Sequence, residues 1–266
     1  MATNWKIYQV RDLSGAINRF PSEFLQAKDE MRLIVNWDVD TFGALTKATG
    51  YSQRGDDVTN ASAILGLTPL YYGSSRQQVA VFDLSTGSAD AYVYNSSTDS
   101  WTAQSLSLTT GAKAEFSNYL DGLFMVNYSD ASRWYNGSTW STTTNLSNAP
   151  KARYCRHYID REYFANLDVS GTAHPSRVAK SSLPDSNYHV TWNMTDDYFD
   201  VSPKDGDEIR GLGENFHRLL VFKEKSLWRY DTNTLYQFPG APGTTSNRSI
   251  ANVLDWTIYY HTTGIY

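Results

Sequence analysis

Leu123-Phe124-Met125-Val126 leads to Arg133-Trp134-Tyr135, and that to Asn136-Gly137-Ser138-Thr139-Trp140. This is an apolar strand, a turn, a strand closing on an aromatic residue, an Asn-led turn and another aromatic. The phrase has an earlier copy, in which Val79-Ala80-Val81-Phe82 leads to Tyr92-Val93-Tyr94 and then to Asn95-Ser96-Ser97-Thr98-Asp99-Ser100-Trp101. A later copy runs Leu219-Leu220-Val221-Phe222, Leu227-Trp228-Arg229-Tyr230, then Asp231-Thr232-Asn233-Thr234-Leu235-Tyr236. Repetition at roughly 40–50 residues, with several strands per repeat, is the signature of a β-propeller. One such unit cannot bury its apolar faces alone, so successive units must stack.

From this phrase the chain divides outward. Second strands begin at Val79, Leu123, Glu162, Leu219 and Thr257, intervals of roughly 40–55 residues that suit four-stranded blades. The first unit is expected to carry strands at 63–72, 78–84, 89–95 and 101–106, and the second at 112–119, 123–128, 132–135 and 139–143. The third is the most degenerate, with strands at 153–158, 162–166, 177–181 and 188–193 and a long loop through Gly171 and Pro175. The fourth has 208–212, 219–223, 226–230 and 235–238. A fifth begins at 249–254 and 257–261 and stops in Gly264-Ile265-Tyr266. The expected fold is therefore all-β, a β-propeller of about four full blades plus a partial one at 58–266, behind an N-terminal arm at 1–57. The unfinished unit leaves an unpaired strand edge near 258–266, which is expected to aggregate unless another strand covers it.

In the arm, 25–31 allows a helical turn or two, 31–37 reads as a strand, and Asp38-Val39-Asp40-Thr41-Phe42-Gly43 as a turn. The composition agrees with a β protein. Tyr 19, Phe 11 and Trp 8 make the chain 14% aromatic, which favours pleated, half-buried surfaces. With 41% hydrophobic and 19% charged residues it has enough apolar side chains for a core, and no run long enough to span a membrane. The net charge of −5 and the scatter of basic residues argue against a sequence-independent grip on nucleic acid, and no sequence-specific nucleic-acid partner is expected. The N-terminus lacks the basic and apolar segments of a secretory signal. The single cysteine, Cys155, excludes an intrachain disulfide and suits folding in a reducing cytoplasm; it reads as a small buried residue on a strand. Seven Asn-x-Ser/Thr sequons, at Asn60, Asn95, Asn127, Asn136, Asn145, Asn193 and Asn247, read as turn chemistry.

The search for chemistry-bearing motifs is negative. Asp38 and Asp40 lack a third carboxylate at loop-ligand spacing. Asp196, Asp197 and Asp200 read as a solvated loop, and Asp205-Gly206-Asp207-Glu208 as a tight turn. The histidines, His157, His174, His189, His217 and His261, have no zinc-binding spacing. No cofactor, metal or catalytic residue is expected. The spacing of Tyr94 and Trp101 matches half of a kelch repeat without its glycine pair, and points to aromatic staples on the outer hairpins. Tyr71, Tyr72, Trp134 and Trp140 are the candidate contacts for a surface glycan or a partner.

Two stretches bear a resemblance. Asp12-Leu13-Ser14-Gly15-Ala16-Ile17-Asn18, followed by Asn36-Trp37-Asp38-Val39-Asp40-Thr41-Phe42-Gly43-Ala44-Leu45-Thr46-Lys47 and Gly50-Tyr51, resembles the opening of bacteriophage virion propeller proteins. The stretch 153–164, with Ser176-Arg177-Val178, Asp205–Leu212 and 218–228, is similar to their central blades. The resemblance implies a non-catalytic structural protein of the phage tail, of nozzle, hub or adaptor type. Such a protein is built as a symmetric ring, with copies of itself and other virion proteins as partners and the virion as its location. Two alternatives stand beside it, a propeller that binds host-surface glycans and a polysaccharide-active enzyme on the same fold.

Overall fold

The computed structural model describes residues 37–39, 45–47 and 55–266, apart from 144–145, 187–188, 216–217, 232 and 254–255. The chain divides into two compact units, Met1–Arg54 and Gly55–Tyr266. In the first, β1 (Trp37–Val39) pairs antiparallel with β2 (Leu45–Lys47), Trp37 opposite Lys47 and Val39 opposite Leu45. Asp38 and Val39 thus lie in a strand where the sequence suggested a turn: Trp-Asp-Val alternates with the period of two that a strand requires. Asp40, Gly43 and the expected helical turn at 25–31 lie outside the described residues.

The second unit is built from four antiparallel sheets, each a meander of four strands in chain order. The first sheet is β3 (Ala61–Tyr72), β4 (Ser75–Leu84), β5 (Ser88–Asn95) and β6 (Ser100–Ala103). The second is β7 (Glu115–Tyr119), β8 (Gly122–Val126), β9 (Arg133–Tyr135) and β10 (Trp140–Ser141). The third is β11 (Lys151–Tyr158), β12 (Arg161–Val169), β13 (Thr172–Lys180) and β14 (Tyr198–Asp200), and the fourth β15 (Ile209–Asn215), β16 (Arg218–Lys223), β17 (Leu227–Asp231) and β18 (Thr234–Gln237). After a 3-10 turn at Asn247–Ser249 come two hairpins, β19 (Ala251–Val253) with β20 (Trp256–Ile258), and β21 (Tyr260–His261) with β22 (Gly264–Ile265). Tyr259 and Tyr266 exchange backbone hydrogen bonds at 3.0 Å and lengthen the second ladder. No α-helix occurs among the described residues.

The second strand of each sheet explains the apolar runs. Val79–Phe82, Leu123–Val126 and Leu219–Phe222 are buried residue after residue, as in strands covered on both faces. Alternate side chains serve different neighbours. Leu123 packs with Leu70, Val79 and Val93 of the first sheet, and Phe124 with Phe164 and Cys155 of the third. Tyr163 and Ala165 pack on Leu219 and Val221 of the fourth sheet, whose Leu220 and Phe222 pack on Tyr259. Each sheet therefore rests on the next through a fresh apolar face. Full burial of such side chains contributes about 1.5–3 kcal/mol each.

The Asn-led turns are local devices. Asn95 Oδ1 accepts the Ser97 N–H at 2.9 Å. Asn136 Oδ1 accepts Ser138 N–H at 2.9 Å and Thr139 N–H at 2.7 Å. Both fix a turn by mimicking a backbone carbonyl. Across these turns the aromatics meet: Tyr94 opposes Trp101 with ring centroids 5.4 Å apart, and Tyr135 stacks on Trp140 at 4.8 Å. In the fourth sheet Tyr236 sits under the Arg229 guanidinium at 4.8 Å.

The third sheet corrects the sequence expectation twice. No long loop runs through Gly171 and Pro175, because β12 and β13 form a tight hairpin and Pro175 lies inside β13. The ladder shifts register between Ala165 and Leu167, with Asn166 at φ 55°. A bulge of this kind is where a strand tolerates a residue without an N–H. The fourth strand is Tyr198–Asp200, not 188–193. Trp192 lies outside the strands: it forms an isolated bridge to Ser181, donates its backbone N–H to the Ser147 carbonyl at 2.9 Å and stacks on Phe164 at 4.2 Å.

Candidate functional site

The first strands of the four sheets share one pair of neighbours, Asn247 and Arg248. The Arg248 guanidinium donates to the carbonyl of Leu65 at 2.6 Å and to that of Ala114 at 3.2 Å, and its Nε to Glu115 Oε1 at 3.2 Å. Asn247 Nδ2 donates to Glu115 Oε2 at 3.0 Å, and its Oδ1 accepts the Leu212 N–H at 3.1 Å. Leu65 belongs to β3, Glu115 to β7 and Leu212 to β15; a cavity shared with Asn247 and Arg248 is lined by Cys155 and Arg156 of β11. Close approach is built in. A Cβ on Gly66 would stand 2.7 Å from the Ala114 carbonyl, so β3 can lie against the segment entering β7 only with glycine there.

Beside this knot opens a cavity of about 400 Å³. Its walls come from the segment before β7, the end of β8, the start of β11 and the segment before β19. Lys113, Glu115, Arg153 and Arg248 are its charged residues, and Tyr128 and Tyr154 its aromatic ones. Glu115 is held by Arg248 and Asn247, while the Arg153 guanidinium lies over the Tyr128 ring at 4.6 Å. Burial pushes the Tyr154 hydroxyl pKa up, so it stays a neutral phenol.

The four aromatics singled out from the sequence separate into two kinds. Tyr71 and Tyr72 end β3 at its hairpin and are 56% and 46% exposed. The Tyr71 ring faces the Arg76 guanidinium at 5.6 Å, and the Tyr72 ring lies against Gly137, whose added Cβ would meet it at 3.1 Å. Trp134 and Trp140 are half-buried. Trp134 packs on the cluster joining the second and third sheets, and Trp140 on those joining the first and second. They occupy opposite faces of one hairpin, and the indole N–H of each is buried without a partner. Tyr72 and the turn between Trp134 and Trp140 thus share a neighbourhood, but the two tryptophans do not share a surface with each other.

The remaining candidates have structural partners. Asp200 makes a bidentate pair with Arg177 at 2.8 and 3.1 Å, Asp197 lies 3.9 Å from Lys180, and Asp196 accepts from Asn193. Asp205 receives the Lys223 ammonium. No group of three or more His, Cys, Asp or Glu that could hold a metal occurs among the described residues. Cys155 is buried and its thiol pKa is pushed up by burial, then by the nearby Glu162 and Glu115. His217 and Asp40 lie outside the described residues. Asn247, Arg248 and Lys223 were missed from sequence. One signal was there, since Arg248 is the only charged residue between Asp231 and Asp255. No family model matches the chain, and no curated protein matches it.

Proposed function

We propose that the chain is a β-propeller module acting as a non-catalytic structural component of a bacteriophage virion, in a tail or tail-tip ring of nozzle or hub type. What supports the radial arrangement is one observation. First strands of the first, second and fourth meanders hydrogen-bond to Asn247 and Arg248, and that of the third lines the cavity beside them, while each sheet packs face-on against the next. Sheets that share a hub and lean on their neighbours resist force through many parallel ladders, which suits a particle component. The resemblance of 12–51 and 153–228 to phage propeller proteins supplies the particle. Copies of the chain and other tail proteins are the partners, and the mature location is the virion.

Cryo-electron microscopy of particles produced from the genome encoding this chain tests the proposal. A ring of this chain in the tail is the expected result, and its absence from purified particles overturns the assignment. A second reading, adsorption to host-surface glycans, is favoured by Tyr71 and Tyr72, whose exposed rings stand at a hairpin tip. Replacing both by Ser should abolish retention on immobilised host polysaccharide; undiminished retention removes those rings from recognition.

A further inference from the structure

The cavity beside Asn247 and Arg248 has a charge balance that its own residues leave open. Its one carboxylate, Glu115, is taken by Arg248 and Asn247. The Arg248 guanidinium is engaged by Glu115 and two main-chain carbonyls. Two cations remain, Lys113 and Arg153. Neither forms an ion pair with a carboxylate among the described residues. Arg153 rests on the Tyr128 ring at 4.6 Å, which orients the guanidinium plane while leaving its N–H groups available. Ser129 and Ser246 add hydroxyl-bearing side chains to the lining. In a chain of net charge −5, this concave site concentrates positive potential, and such a site recruits anions.

We propose that this cavity binds a small ligand carrying an oxyanion, a carboxylate or phosphate held between Lys113 and Arg153, with room for a group the size of one sugar ring. The site stands independently of any particle assignment, because it rests only on side chains of this chain. Arginine offers paired donors that match a carboxylate or phosphate edge, and lysine adds a point charge.

Isothermal titration of the purified chain at low ionic strength, with inorganic phosphate in one arm and glucuronate in the other, tests it. Saturable binding of both identifies a general oxyanion site, and binding of glucuronate alone an acidic-sugar site; either supports the proposal. Lys113→Met and Arg153→Gln should each weaken binding by about tenfold or more without changing the thermal melt of the free protein. Lys113→Arg should retain binding if Lys113→Met fails to fold, and Lys204→Met, away from the cavity, should leave affinity unchanged. Saturable binding of neither ligand, or full affinity in the Lys113→Met/Arg153→Gln double variant, overturns it.

Discussion

A Cβ placed on Gly243 would stand 1.6 Å from the carbonyl oxygen of Lys223, the same oxygen that accepts the Thr244 N–H at 2.8 Å. Main chain meets main chain there, so no side-chain movement relieves the clash. Gly243→Ala should therefore cost about 3 kcal/mol, read as a lowered urea midpoint; an unchanged midpoint would show that the segment repacks freely. Lys223 itself is fully buried, and its ammonium donates to the Val201 and Ser202 carbonyls at 3.0 and 3.1 Å and to Asp205 Oδ2 at 2.6 Å. Lys223→Met keeps the stem and strands those acceptors, for an expected loss of about 2–3 kcal/mol. Glu162 is the opposite case. Its Oε2 accepts from Ser117 at 2.9 Å, its Oε1 is buried without a partner, and burial pushes its pKa well above the ordinary 4.5. The folded state keeps a proton that the unfolded chain releases above 4.5, so this group's contribution is fully present below that pH and is lost as pH rises through the folded value. Glu162→Gln should gain on the parent protein steadily as pH is raised from about 4 to 8. Parallel melting curves for the two proteins would show that Glu162 is not the group responsible.

At the scale of the element, the outer hairpins were legible because their chemistry is local. An Asn side-chain carbonyl that accepts the amide two residues on, and at Asn136 the one three residues on as well, flanked by aromatics on facing strands, needs nothing from the rest of the chain. Asn136→Ala removes two such bonds and should cost about 1 kcal/mol in thermal unfolding. Gly137→Ala should cost a similar amount, because φ is +87° and the new methyl meets the Tyr72 ring. No change in either variant would mean that the turn is fixed by packing instead. The third sheet was illegible for the converse reason. Trp192 carries the aromatic signal that elsewhere marks a rim strand, yet it is buried against Phe164. The true fourth strand, Tyr198–Asp200, is short and half-exposed. It is secured by Arg177, which pairs with Asp200 and covers the Tyr198 ring at 3.7 Å. Pro175 reads as a strand breaker unless the bulge at Asn166 is known. The candidate sites divide likewise. Exposed tyrosines at a hairpin tip can be read from order along the chain, whereas Arg248 reaches Leu65 across 183 residues.

For the whole molecule, the stacking rule that runs through the sheets is broken at the last hairpins. Sheets two to four cover apolar side chains on both faces, but β20 and β21 do so on one. Tyr259 points into the cluster with Phe222, and the side chains flanking it point away. Trp256 is 73% exposed, Ile258 41% and Tyr260 48%, and Ile265, opposite Tyr260, is 75% exposed. Four large apolar residues exposed across two adjoining, short two-stranded ladders, β19–β20 and β21–β22, make an association surface in water. The isolated chain is therefore expected to self-associate as concentration rises, in sedimentation velocity, with weight-average mass climbing above the monomer. Ile258→Lys with Ile265→Lys places two charges on that surface and removes about 1.5–3 kcal/mol of burial per side chain from any contact across it. The apparent association constant should fall by at least about a hundredfold. The fold should be unaffected, since neither side chain belongs to a buried cluster, and coincident circular-dichroism melts at low concentration would verify that. If the parent chain sediments as a single monomeric species at every concentration, these exposed residues are not an association surface. If the double variant associates as strongly as the parent, contacts elsewhere drive assembly, with the long β3–β4 hairpin and its exposed Ile64 and Leu67 the next surface to charge.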